Sequence, residues 1–103
     1  MRSIRVSRTF NDQLNALLAY GEERFGRAVA EEKKTLVYAI IRDHLAWFPA
    51  SHIRDPELGL HFYPVTHTPF TLVYDFDEAE LRIHFVLHQR ADRGSLDPGD
   101  VAW

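Results

Sequence analysis

The chain has 103 residues, of which 46% are apolar and 26% are charged, and it contains no cysteine. This length leaves room for one domain, and the composition is that of an ordinary globular protein. The lack of cysteine excludes disulfide bonds, thiolate catalysis and zinc sites that depend on cysteine.

The charge is distributed unevenly along the chain. Residues 1–54 hold nine Lys and Arg against six acidic residues, whereas residues 55–103 hold three against nine. The first ten residues lack the apolar run of a signal peptide, and no stretch of 18 uncharged apolar residues occurs. We therefore expect a cytoplasmic protein that does not engage a membrane.

The first half of the chain predicts a strand and two helices. Residues 4–7 alternate apolar and polar, as in a short strand, and Ser7 or Thr9 is placed to cap the helix that follows. Apolar residues then recur at spacings of three and four over residues 10–25, and Gly26 supplies a helix stop.

A second helix is predicted from residue 27 to residue 48, where Pro49 must end it. The short link between the helices predicts an antiparallel hairpin. Residues 49–59 carry two prolines and a glycine, and they read as an irregular crossing loop.

From Leu60 the apolar period changes to two, which indicates strands. One strand opens at Leu60 and meets Pro64, and two longer strands flank the acidic turn at residues 77–80. Each long strand is expected to present one wholly apolar face to the helices, comprising Phe70, Leu72, Tyr74 and Phe76 on one and Leu81, Ile83, Phe85 and Leu87 on the other. Phe62 is expected on the same face of the sheet, and Tyr63 on the opposite face.

The predicted fold class is α+β with the order β-αα-βββ. An N-terminal helical hairpin packs on one face of a small, mostly antiparallel sheet. Residues 1–92 form the single domain, and residues 93–103 form an irregular C-terminal tail.

The six histidines invite a test for a metal site. His84 and His88 lie four residues apart on one predicted strand, or about 13 Å, which is too far to share an ion. A cross-strand pair of His61 with His84 stays open. No glycine-rich phosphate loop or calcium loop occurs either, so we expect no metal and no cofactor.

Two strings carry a resemblance to a known family. IRVSRTFNDQLNALLAYGEERFG and FTLVYDFDEAELRIHFVLHQRAD resemble the opening and the closing hairpin of the RelE/ParE superfamily of type II toxin–antitoxin toxins. The resemblance spans about residues 3–92. It implies either a RelE-like, ribosome-dependent messenger-RNA nuclease without a metal, or a ParE-like inhibitor of DNA gyrase that is not an enzyme.

The sequence is closer to ParE. RelE-like nucleases need several cations on the sheet, but Arg82, Arg90 and Arg93 are outnumbered here by acidic neighbours. Thr71 stands where those nucleases carry an arginine, and no tyrosine follows Tyr74. The nuclease alternative would depend on Arg90, His88 and Arg82, and an inactive adaptor of the same fold is a third reading.

The resemblance implies two partners and no sequence-specific contact with nucleic acid. A cognate antitoxin, encoded in the same operon, would form a hetero-oligomer with the chain by laying an amphipathic helix into an apolar groove. The residues expected there are Leu14, Leu18, Trp47 and Phe48. The implied target is DNA gyrase, and the residues expected to contact it are His88, Arg90, Arg93 and Trp103.

Overall fold

A computed structural model describes residues 1–52, 54–91, 94 and 96–103. In chain order its main elements are β1 (Ser3–Val6), α1 (Arg8–Phe25), α2 (Arg27–Ile40), β2 (Arg54–Asp55), β3 (Leu60–Pro64), β4 (Phe70–Phe76) and β5 (Glu80–His88). The sheet order is β1-β5-β4-β3-β2, in which β1 runs parallel to β5 and the other neighbours are antiparallel. The predicted α+β class, with a helical hairpin on a mostly antiparallel sheet, is confirmed.

The junction of β1 and α1 depends on Ser7, which is fully buried. Its hydroxyl accepts a hydrogen bond from the Phe10 amide at 2.8 Å and donates one to the His84 carbonyl at 2.6 Å. Of the two predicted caps, Ser7 is therefore the one that serves α1, and it also fixes the helix to β5. At the other end, Gly26 has a φ of 89°, which a residue with a side chain adopts only with strain.

The second helix ends earlier than the sequence predicts. α2 stops at Ile40, and one wide π-helical turn follows over Ile41–Leu45, closed by a hydrogen bond from the Ala46 amide to the Ile41 carbonyl at 3.0 Å. The added residue in this turn places Leu45 and Ala46 together in the core, where neither is exposed. Helical spacing alone does not distinguish this turn from a regular one.

The loop predicted over residues 49–59 contains structure that the sequence did not reveal. Pro49–Ser51 form a 3₁₀ turn, and β2 pairs with the start of β3 through Arg54 and Asp55. The Asp55 carboxylate accepts from two backbone amides of the following turn, those of Glu57 and Leu58. A strand of two residues has no periodicity, so its pattern could not be detected.

A bulge on β5 overturns the prediction of one continuous apolar face. Val73 lies opposite Phe85, but Tyr74 lies opposite Ile83, so His84 is an extra residue on β5. The side-chain phase therefore reverses at His84. Leu81 and Ile83 face the helices as predicted, whereas Phe85 and Leu87 lie on the outer face of the sheet.

The sheet consequently has a core on each face. The main core, between sheet and helices, includes Phe10, Leu14, Val37, Leu72 and Tyr74. The second is an outer cluster of Leu60, Phe62, Val73 and Phe85. The predicted faces of Phe62 and Tyr63 on β3 are wrong. Phe62 belongs to the outer cluster, while Tyr63, paired with Leu72, packs against the main core.

The end of the chain covers the outer cluster. Leu96 and Val101 pack against it, and Pro98–Asp100 form a 3₁₀ turn. The Ala102 carbonyl accepts from the Arg8 and Thr9 amides at 2.7 and 3.2 Å, and the Ala102 amide donates to the Thr9 hydroxyl at 2.9 Å. The amides in the first turn of a helix lack intrahelical acceptors, so this contact also stabilises α1. No helix in the described part of the chain is long and apolar enough to cross a membrane.

Candidate functional site

An apolar cavity of about 100 Å³ lies where the end of α1 and the start of α2 approach β4 and β5. We call it the hairpin cavity. Its apolar walls include Leu17, Leu18, Val29, Ala30, Pro69 and Phe70. Two aromatic residues at its rim, Tyr20 and Phe25, are 57% and 66% exposed. Large aromatic side chains beside an apolar cavity are typical of a protein-binding surface.

The sequence forms this cavity by placing small residues between large ones. Leu17 and Leu18 lie one turn beyond Leu14 on α1, and Gly21 follows them at the wall. A methyl group added at Gly21 would meet no atom within 4 Å, so the glycine leaves space that a larger residue would occupy.

The polar edge of the cavity is basic. Lys33 and His88 line it, and the Lys33 ammonium donates a long hydrogen bond of 3.4 Å to the His67 carbonyl. The imidazole Nδ1 of His88 accepts a 3.2 Å hydrogen bond from the amide of Arg90, which holds the exposed Arg90 next to the cavity. An apolar floor with a basic edge suits an amphipathic segment that carries carboxylates.

A second apolar surface lies after the π-helical turn. Trp47 and Phe48 are 54% and 63% exposed beside a shallow hollow of about 470 Å³. The hollow is lined by Arg2, Trp47, Phe48, Pro49, Ala50 and Phe76, which we call the Trp47 patch. The Arg2 guanidinium carbon lies 5.3 Å from the centre of the Phe76 ring, within the range of a cation–π contact.

The four residues expected to contact an antitoxin do not form one groove. Leu18 lines the hairpin cavity, but Leu14 is only 1% exposed and lies in the main core, because it is one turn from Phe10 on the inner face of α1. Trp47 and Phe48 lie past the far end of α2. Since α2 has 14 residues, about 20 Å separate the two surfaces.

The residues expected to contact the target are also dispersed. His88 lines the hairpin cavity on the helical side of the sheet, and Arg90 lies just past β5. Trp103 packs on the outer face against His84, with 4.9 Å between ring centroids. Arg93 lies outside the described residues.

Arg82 is held by carboxylates. It forms ion pairs with Asp75 and Asp77 at 2.8 Å each and with Glu80 at 3.3 Å. These partners raise the pKa of Arg82, and its hydrogen bond, together with two from backbone amides, lowers the pKa of Asp77 from 3.8 to about 2. Arg82 precedes His88 by six strand residues, about 20 Å, so the three residues of the nuclease alternative do not converge.

His84 has a structural role that the sequence analysis did not predict. Its Nε2 lies 3.0 Å from the Asp75 carboxylate, and its buried Nδ1 has no partner among the described residues. His61, in contrast, stacks on Tyr74 on the helical side of the sheet, with 5.2 Å between ring centroids. His61 and His84 therefore do not share a metal ion, as the sequence had left open, because the two rings lie on opposite faces of the sheet. Among the residues described, no group of three His, Cys, Asp or Glu side chains is arranged to hold a metal ion.

Tyr20, Gly21 and Phe25 are the other site residues that the sequence analysis missed. By its spacing Phe25 shares the apolar helical face of Leu18, yet it ends α1 in an exposed position. One feature of the sequence could have indicated this site: two aromatic residues, Tyr20 and Phe25, flank a glycine near the end of a helix.

Comparison with known proteins gives a match in structure but none in sequence. No protein-family model matches the chain, and no curated protein does. Among solved structures, a chain of the "Chromosomal ParDE TA system from P. aeruginosa" superposes with a TM-score of 0.74. The match covers 85% of this chain and 96% of that chain, at 16% identity. The two chains share one fold. At this identity the likeness is one of fold, and it agrees with the fold that the sequence predicts.

Proposed function

We propose that this protein is the toxin of a type II toxin–antitoxin pair and acts in the cytoplasm as a ParE-like inhibitor of DNA gyrase. It would act by binding a protein and not by catalysing a reaction. Its likeness in fold to a chain of the P. aeruginosa ParDE system supports the toxin–antitoxin assignment. The observation that carries the assignment of an antitoxin partner is the hairpin cavity with its exposed rim of Tyr20 and Phe25.

The charges of the sheet support binding over cleavage of RNA. A metal-independent nuclease must stabilise negative charge on phosphate with converging cations. Arg82 already compensates three carboxylates, and releasing it would leave those carboxylates to repel a polyanion. The outer face of the sheet is, in addition, covered by Leu96, Val101 and Trp103.

The hairpin cavity is the proposed site of the antitoxin, which the same operon would encode. An amphipathic helix would place apolar side chains between Leu18 and Phe70 and carboxylates near Lys33 and His88. Tyr20 and Phe25 would close over its sides. Leu14 would support the cavity from within the core rather than touch the antitoxin.

Neutralisation would follow from the position of the predicted target residues. His88 lines the hairpin cavity and the backbone amide of Arg90 bonds to its ring, so an antitoxin bound there would cover His88 and lie close to Arg90. We keep His88, Arg90, Arg93 and Trp103 as the predicted gyrase contacts. Trp103 packs on the other face from His88, so one flat contact cannot include both.

Controlled expression in a bacterium tests this function. We expect growth arrest with induced DNA damage and filamentous cells, while translation continues at first. Arg90→Ala should weaken the arrest, and Asn15→Ala, which changes an exposed residue of α1, is the matched control. Abrupt loss of translation with cleaved messages would instead favour the nuclease, and normal growth would favour the inactive adaptor.

A further inference from the structure

The Trp47 patch, defined above, is an apolar surface that the proposed antitoxin site leaves uncovered. It lies about 20 Å from the hairpin cavity, at the other end of α2. Trp47 and Phe48 are more exposed than buried, although tryptophan and phenylalanine side chains gain most from removal from water. A surface of this kind calls for a partner.

Four hydrogen bonds hold the backbone of this patch in place. The Arg2 amide donates to the Ala46 carbonyl at 3.2 Å, and the Tyr74 hydroxyl donates to the buried Pro49 carbonyl at 2.6 Å. Between them, the amides of Trp47 and Phe48 both donate to the His44 carbonyl. The two aromatic side chains are thus presented by a rigid backbone, which lowers the entropic cost of binding.

The charge of the patch indicates what the partner carries. Arg2 is oriented by a 2.6 Å hydrogen bond from its Nε to the Asp77 carbonyl and by the Phe76 ring. Among the described residues, no carboxylate is within ion-pair distance of Arg2. Arg2 is the charged residue among the six that line the patch, so its charge is uncompensated there.

We propose that the Trp47 patch docks the protein target, through a segment that presents an apolar side chain next to a carboxylate. The apolar side chain would enter the hollow between Trp47 and Phe76, and the carboxylate would pair with Arg2. This inference rests on the proposed function and adds to it. The target gains an anchor that is separate from the antitoxin site.

A pair of double variants tests whether the target binds at a site separate from that of the antitoxin. Trp47→Ala with Phe48→Ala removes the aromatic side chains of the patch, and Tyr20→Ala with Phe25→Ala removes an equally exposed pair at the hairpin cavity. Thermal unfolding checks that both variants fold. The readouts are growth arrest, inhibition of purified gyrase, and binding of a peptide from the C-terminal segment of the neighbouring antitoxin.

We expect the first variant to need about 30-fold more protein for the same inhibition while binding the antitoxin peptide normally, as for loss of an aromatic anchor. The second variant should lose the peptide, and its inhibition should fall less than that of the first variant. Arg2→Glu should match the first variant, whereas Arg2→Lys should retain most of the inhibition because the charge is kept.

Each other outcome is decisive. If the unchanged protein neither arrests growth nor inhibits gyrase, the proposed function itself is wrong. If it does both and the Trp47 and Phe48 variant does so equally well, only the docking inference is overturned. The same holds if that variant loses the antitoxin peptide instead, or if its sole defect is loss of a homodimer in sedimentation.

Discussion

The indole ring of Trp103 lies edge-on against the imidazole of His84, with 4.9 Å between the ring centroids. The guanidinium of Arg5 lies over the indole, 4.7 Å from its centre. His84 is the bulged residue of β5, so this stack fixes the end of the chain to the irregular point of the sheet. Residues 96–103 are therefore part of the folded structure.

Replacing Trp103 with alanine should lower the free energy of unfolding by about 1–2 kcal/mol, because both the aromatic and the cation–π contact are lost. Urea denaturation of the purified protein measures the change. Phe25→Ala is the control, since that ring is exposed and its loss should change stability by about 0.5 kcal/mol or less. Equal effects for the two variants would show that Trp103 contributes no more to the fold than an exposed ring does.

Ser7 is a second test of how the chain is held to β5. Ser7→Ala removes a helix cap and a buried bond to the His84 carbonyl, so we expect a loss of about 1–3 kcal/mol. Ser3→Ala is a matched control, because the Ser3 hydroxyl also donates to a carbonyl but does so in an exposed position. A loss no larger for Ser7 than for Ser3 would contradict the assigned role.

The bulge on β5 and the π-helical turn after α2 could not be predicted from the sequence, because neither changes the pattern of apolar residues. The run Ile83-His84-Phe85-Val86-Leu87 has apolar residues in both phases past His84, so an extra residue there leaves no trace in the pattern. The helical residues before Pro49 likewise fit a π turn as well as an α turn. The helical hairpin and the β4–β5 pair were predictable, because their periodicity continues over many residues.

The candidate site was predictable only in part. Leu18 was named because its spacing marks the inner face of α1, but that spacing does not show where the face stops being covered. Phe25 on the same face is exposed, and Leu14 is buried. Exposure depends on which surface each turn of a helix meets, and this is fixed by tertiary packing.

The Asp75 carboxylate should make stability depend on pH in the acid range. Burial raises its pKa, but hydrogen bonds from Arg82 and His84 outweigh burial, and the pKa is lowered overall. A lowered carboxylate pKa stabilises the fold above the unfolded value near 4, and this stabilisation is lost as pH falls through the folded value. Asp77 adds to it between about pH 4 and its own pKa of about 2.

Asp75→Asn tests this dependence. We expect the variant to be less stable by about 1 kcal/mol at pH 7, and the difference should shrink as the pH falls from 4 towards 2. Urea denaturation at a series of pH values measures it, with Asp12→Asn as a control at an exposed position on α1. A difference that stays constant down to pH 2 would rule out the ion pair as its source.

The two glycines near the hairpin turn should respond in opposite directions. Gly21→Ala should raise the free energy of unfolding by about 0.5–1 kcal/mol, because Gly21 lies within α1 and an added methyl group would find open space. Gly26→Ala should lower it by about 1 kcal/mol or more, since Gly26 has a φ of 89°. Thermal unfolding of both variants is the measurement, and a stabilising Gly26→Ala would show that the turn is not strained.

We propose that this protein inhibits gyrase by binding it and that it cuts no RNA. A DNA supercoiling assay with purified gyrase tests it most directly, run beside translating ribosomes that carry a labelled message. We predict that the protein blocks supercoiling, that the cognate antitoxin restores it, and that the message stays intact. Unimpaired supercoiling together with a cleaved message, abolished by Arg90→Ala, would contradict the account.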